Sequence, residues 1–191
     1  VAAPLRRGGR RGGAGMAVEP PVEAVTRVKH KPLLYLESSF WRRLLDQHDP
    51  DRRRTTYSFL KKVARRSRLR ISRMVLAELV AVRDLSLRRR LLRKMYRERI
   101  RNVTTSSHVD RRVREWTEAA WLGQAQLADL YHIAYAVFGG CDYLVSWDEG
   151  HLARPWTQRL VEEYCREKGL KRLRIGTPVE VAERWLGIKI R

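Results

Sequence analysis

The chain has 191 residues, with 41 Lys and Arg against 21 Asp and Glu, giving a formal net charge of +20 at neutral pH. That length suits one domain with a core that needs no disulfides, and a hydrophobic share of 43% excludes a wholly disordered polycation. No uncharged apolar run reaches the roughly 18 residues of a membrane span, and the two cysteines, Cys141 and Cys165, can build neither a disulfide framework nor a four-cysteine zinc site.

A reducing, cytoplasmic compartment fits this composition, and the first fifteen residues lack the apolar core of a secretion signal. Most of the positive charge is Arg, whose planar fork suits phosphate. The charge therefore predicts a polyanionic partner, nucleic acid first, with solvated Arg on exposed helix faces as the alternative.

Residues 1–30 hold Gly, Arg and the adjacent Pro20 and Pro21 without apolar periodicity, which predicts a disordered basic tail. The chain opens with Val, and Met16 follows the Arg/Gly stretch, so residues 1–15 are read as an upstream extension of the reading frame. The remaining 31–191 are expected to form one domain. Leu33-Leu34-Tyr35-Leu36 is a continuous apolar run that predicts a strand buried on both faces. Helices are expected at 40–48 and 51–66, a second strand at 69–71, and Ser72 as N-cap for the apolar stretch Met74 to Val82.

From 86 to 100, Leu87, Leu91, Leu92, Met95 and Ile100 form one helical stripe opposite a cationic face. A third strand is expected near 102–105, then helices at 109–121 and 127–138, the latter stopped by Gly139-Gly140. Tyr143-Leu144-Val145-Ser146 predicts another buried strand, 156–168 a helix, Leu173 to Ile175 a last strand, and Thr177-Pro178 the opening of a closing helix. Strands alternating with helices predict an α/β domain with a parallel sheet, whose sites lie outside the carboxyl ends of the strands.

In a chain this rich in Arg, the informative acids are those with no Lys or Arg within four positions. In the domain these are Glu37, Glu78, Asp129, Asp142, Asp148 and Glu149. Glu37, Asp148 and Glu149 follow expected strands. Asp142 precedes one, which predicts a turn or capping role. Glu78 and Asp129 stand on apolar helical faces, where an unpartnered carboxylate is costly. Convergence of Glu37, Glu78, Asp129 and Asp148 would demand a cation between them, and hard carboxylate oxygens favour Mg²⁺ or Mn²⁺. The alternative is that each pairs with a distant Arg or makes a capping bond.

Four segments together resemble the ordered motifs of PIN-domain ribonucleases, and in particular VapC-like toxins of type II toxin-antitoxin systems. They are Tyr35-Leu36-Glu37-Ser38-Ser39-Phe40, Leu76-Ala77-Glu78-Leu79, Ala128-Asp129-Leu130-Tyr131-His132-Ile133-Ala134 and Asp142-Tyr143-Leu144-Val145-Ser146-Trp147-Asp148. The resemblance implies a three-layer α/β/α fold with a central parallel sheet and a metal-dependent endoribonuclease that hydrolyses RNA to a 5′-phosphate and a 3′-hydroxyl. It implies Glu37, Glu78, Asp129 and Asp148 as catalytic acids, with Mg²⁺ or Mn²⁺ on Glu37, Asp129 and Asp148, and Ser39 and Ser146 in support. It further implies a homodimer and a small antitoxin partner. Two departures stand out: Glu37 occupies a position usually held by Asp, and His151-Leu152 replaces an Asp-Phe pair, which leaves Glu149 as the substitute for a fifth acid.

His132 and His151 are expected to be structural before catalytic, and Trp147 a core or rim aromatic before a base-stacking one. Among the cationic clusters, Arg52-Arg53-Arg54 and Arg88-Arg89-Arg90 are the candidates for RNA phosphate contacts. Two rival functions remain at this point: a non-catalytic RNA-binding module, and a basic interaction protein with an acidic protein partner.

Overall fold

The computed structural model describes residues 31–104, 107–123 and 127–191. The expected basic tail and the extension before Met16 lie outside the described residues. The apolar run forms β1 (Leu33–Leu36), the middle strand of the sheet, where Leu34, Tyr35 and Leu36 are fully buried. After it come α1 (Ser38–Arg43), α2 (Pro50–Lys62) and β2 (Arg68–Ile71). Next are α3 (Arg73–Val80), α4 (Leu85–Arg97) and β3 (Ile100–Asn102). The second half comprises α5 (Ser107–Glu118), α6 (Leu127–Phe138), β4 (Tyr143–Val145), α7 (Pro155–Glu167) and β5 (Arg174–Gly176).

The five strands are all parallel, in the order β3-β2-β1-β4-β5. Right-handed crossovers place the helices between β1, β2 and β3 on one face and those between β3, β4 and β5 on the other. Packing agrees: α1 contacts α2, α3 and α4, whereas α5 packs on α6 and its Trp116 ring meets Tyr164 of α7 at 5.2 Å. The architecture is three-layer α/β/α.

Local chemistry accounts for the shifted boundaries. The first helix stops at Arg43 rather than 48, because Asp49 caps the next helix by accepting the Arg52 N–H at 2.9 Å, with Pro50 at its first position. That helix stops at Lys62 rather than 66. A 3-10 turn at Ala64–Arg66 then brings the Arg68 N–H to the Pro32 carbonyl at 2.8 Å, which starts β2. The third strand begins at Ile100, paired with Leu69, and residue 105 of the expected span lies outside the described residues. Ser72 occupies the N-cap position of α3 but makes no capping bond; its hydroxyl goes to Tyr35 instead, at 2.7 Å.

Thr177 and Glu180 cap each other reciprocally, Thr177 N–H to Glu180 Oε2 at 2.9 Å and Glu180 N–H to Thr177 Oγ1 at 3.3 Å. The closing segment continues as a π-helix, Glu180–Trp185. Its Glu183 accepts the backbone N–H groups of Ile190 and Arg191 and pairs with the Arg191 guanidinium at 3.1 Å. These bonds, the Ile190 one first, hold its carboxyl down at about 2. A depressed carboxyl stabilises the fold above its unfolded value near 4.3 and ceases to do so as pH falls through the folded value. Acidification from pH ~4 to ~2 should therefore free the last residues, read as a rise in amide exchange at Ile190 and Arg191. Unchanged protection there at the acid end would refute the clamp.

Among the described residues, no helix is long and apolar enough to cross a membrane. Both cysteines are buried and unpaired, and burial pushes the Cys141 thiol up to about 12.

Candidate metal centre

β1 and β4 are neighbours, yet the connections leaving them run over opposite faces of the sheet. The crevice outside their carboxyl ends is thus the topological switch point, where open α/β sheets place their sites. Glu37 leaves β1 there, and its N–H still reaches the Val145 carbonyl of β4 at 3.2 Å. Ser146, Trp147 and Asp148 leave β4 alongside it. From the flanking helices, α3 contributes Glu78 and α6 contributes Asp129 and His132. Glu37, Ser39, Glu78, Asp129, His132 and Asp148 line one cleft of about 350 Å³, which Arg42, Arg43 and Trp147 also border.

Glu37 is the N-cap of α1 and 5% exposed. Its Oε1 accepts the Ser38 hydroxyl at 2.6 Å and the Ser39 N–H at 2.9 Å, and its Oε2 accepts the Ser39 hydroxyl at 2.5 Å and the Ser146 hydroxyl at 3.0 Å. Those hydroxyl oxygens in turn accept backbone N–H groups, Ser39 from Trp147 at 2.8 Å and Ser146 from Asp148 at 2.9 Å. One carboxylate therefore fixes the loop after β1 and the loop after β4 together. With about four acceptor sites per carboxylate, the protein's own donors already occupy its capacity.

Glu78 has a different environment. His132, 1% exposed, points Nε2 at Glu78 Oε2 at 3.1 Å and at Glu37 Oε1 at 3.8 Å. Its Nδ1 lies 2.9 Å from the Tyr35 hydroxyl. An ionised carboxylate only accepts, so Nε2 carries the proton shared with Glu78, and the Tyr35 hydroxyl bridges Nδ1 and Ser72 Oγ. Burial pushes the Tyr35 phenol well above its ordinary value and keeps it protonated. Burial also pushes the Glu78 carboxyl up, but the hydrogen bond and charge of His132, with Ser38 and Arg42, outweigh it and hold Glu78 below the usual glutamate value.

The second group lies beside the first. Asp148 Oδ1 accepts the N–H groups of Gly150 at 3.1 Å and His151 at 3.0 Å, and its Oδ2 is 3.1 Å from His151 Nδ1. Asp129, 8% exposed, comes from the first turn of α6. Ligand atoms of Glu37, Glu78 and His132 lie within 4.8 Å of one another, and so do those of Asp129, Asp148 and His151. The three acids that the resemblance assigns to the ion divide between these groups. Among the described residues, no Lys or Arg forms a salt bridge with Glu37, Glu78 or Asp148. The carboxylates of Glu78, Asp129 and Asp148 around an open cleft fit a hard divalent cation that keeps part of its water.

Other expected residues take up places around this centre. Asp142 sits at the opposite end of the sheet, accepting the Leu33 N–H at 2.8 Å and pairing with Lys171 at 2.8 Å. Glu149 turns away to Arg52 at 2.5 Å and does not line the cleft. Trp147 is a buried anchor, its indole N–H donated to Thr56 at 2.9 Å and its ring covered by Arg52 at 5.1 Å. Arg54 pairs with Asp51, and Arg88 donates to the Val80 carbonyl at 3.0 Å. Arg53 is half-buried and Arg89 exposed, while Arg90 lines a separate groove shared with Arg42. None of these six arginines lines the acidic cleft; Arg42 and Arg43 do.

The sequence marks Ser72 only as an N-cap, gives no sign that Arg42 and Arg43 border the cleft, and gives His132 no partner. One signal was available for His132, which lies three residues after Asp129 and so on the same helical face.

No protein-family model matches the chain, and neither does any curated protein sequence. Solved structures do match, among them VapBC2 from Rickettsia felis bound to a DNA fragment from its promoter. The TM-score is 0.47 at 17% identity, covering 60% of this chain and 86% of that one.

Proposed function

We propose that the chain is an Mg²⁺- or Mn²⁺-dependent endoribonuclease. One observation carries this reading: Glu37, Glu78, Asp129 and Asp148, from separate elements, line one cleft at the switch point of the sheet in a protein of net charge +20. Asp129 and Asp148, with Glu78 across the cleft, would hold the cation. When bound, a divalent ion acidifies water and offsets charge on a phosphodiester. Glu37 orders the loops that present Asp148, His132 keeps Glu78 ionised, and Arg42 receives a flanking phosphate. The cationic exterior supplies affinity for the RNA backbone. The PIN resemblance supports the same chemistry, and with it a VapC-like toxin role, a homodimer and a small antitoxin that covers the cleft.

Incubation of the chain with RNA tests this directly. Cleavage should appear with Mn²⁺, vanish in EDTA, and leave 5′-phosphate ends; cleavage that persists in EDTA would refute it. A second reading, the non-catalytic RNA-binding module, is favoured by the saturated hydrogen bonding of Glu37. It predicts RNA affinity that falls steeply with salt and intact RNA under every metal condition.

A further inference from the structure

Beside the acidic cleft lies a second cavity, of about 210 Å³, lined by Leu122, Asp129, His151, Leu152, Arg154 and Trp156 among others. The two cavities share Asp129 as a wall, and the Asp148 to His151 hydrogen bond of 3.1 Å joins the acid of one to the imidazole of the other. Of the six tryptophans, five are buried or half-buried, while Trp156 is 38% exposed. Its ring lines the cavity while part of the indole stays open to solvent. Arg154 places its guanidinium 4.7 Å from the Trp156 ring centroid, while Leu122 and Leu152, both buried, form apolar walls.

Flat aromatic surface, a stacking guanidinium and apolar walls are what an unpaired nucleobase requires, and every base offers a π-face. We propose that this cavity is a nucleobase subsite. It receives the base of a nucleotide adjoining the scissile phosphate, stacked on Trp156, while Arg154 contacts the neighbouring backbone. The proposal rests on the nuclease reading for its register, since the shared Asp129 sets the cavity one step from the cleft. It makes the substrate single-stranded at the cut, because a paired base cannot enter.

The test compares a short single-stranded oligoadenylate with an abasic ribose-phosphate strand of the same length, binding the full chain in EDTA so that nothing is cut. Wild type should hold the base-bearing strand about tenfold more tightly, within the range of one stacked base. Trp156→Ala should abolish that preference and Trp156→Phe retain most of it, with unchanged melting temperatures. In Mn²⁺, Trp156→Ala should raise KM and leave kcat near wild type. If the preference and KM both survive Trp156→Ala, the subsite is refuted while cleavage stands. If the preference depends on Trp156 but wild type never cuts RNA, the subsite stands and the nuclease reading falls.

Discussion

Asp129→Asn should lower metal-dependent RNA cleavage by more than about 100-fold, the loss that removal of even an outer-shell partner of a metal reaches. The substitution keeps shape and removes one negative charge from the group of Asp129, Asp148 and His151, whose ligand atoms lie within 4.8 Å of one another. A hard divalent cation is held there by ionised oxygens, and a neutral amide offers only a dipole. Mn²⁺ affinity measured calorimetrically should fall with activity, while the far-UV circular dichroism stays that of wild type. Full cleavage by the Asn variant would remove Asp129 from the machinery and with it the proposed chemistry.

His132→Ala should cost about 3 kcal/mol of stability, the scale of leaving buried hydrogen-bonding groups without a partner, with the Glu78 side chain keeping 23% exposure. Three losses combine. Glu78 loses its Nε2 donor at 3.1 Å, the Tyr35 hydroxyl loses its Nδ1 partner at 2.9 Å, and Glu37 and Glu78 face each other without the imidazole between them. The pH dependence has a definite sign. Burial opposes ionisation of Glu78, but His132 more than offsets it, so the folded carboxyl lies below its unfolded value. Its stabilisation is present above the ordinary carboxylate range and is lost as pH falls through the folded value. Urea melts of wild type and His132→Ala should therefore differ most near neutrality and converge in acid. A gap that stays the same from neutrality into acid would show that His132 acts by packing alone.

Much of the fold was legible because its signals are local. A four-residue apolar run is short enough for a strand covered on both sides, and Leu33 to Leu36 is that strand. Gly139-Gly140 ended α6 where expected, since Gly140 adopts a φ of +63° that other residues avoid. Helix ends were less legible. Asp49 and Pro50 carried the start signal for α2, but the stop at Lys62 was set by where β2 must begin to pair with β1.

For the candidate site, the absence of nearby Lys or Arg picked out acids that needed a special setting, and Asp142 was separated from them by its end of the strand. The arginines were harder to rank. Charge runs such as Arg52 to Arg54 are conspicuous in sequence, yet Arg42 and Arg43 border the cleft because α1 starts at its rim.

By itself the sequence determined the alternating α/β pattern, the strand-end position of Glu37 and Asp148, and the basic character of the surface, all of which follow from short-range periodicity and composition. Only the tertiary structure decided that His132 stands between Glu37 and Glu78, that Glu37 spends its acceptors on Ser38, Ser39 and Ser146, and that Trp156 opens a cavity beside Asp129. The His132 and Ser146 contacts join residues roughly 50 to 110 positions apart, set by which strands lie adjacent in the sheet and by the hand of their crossovers, and no local pattern encodes them.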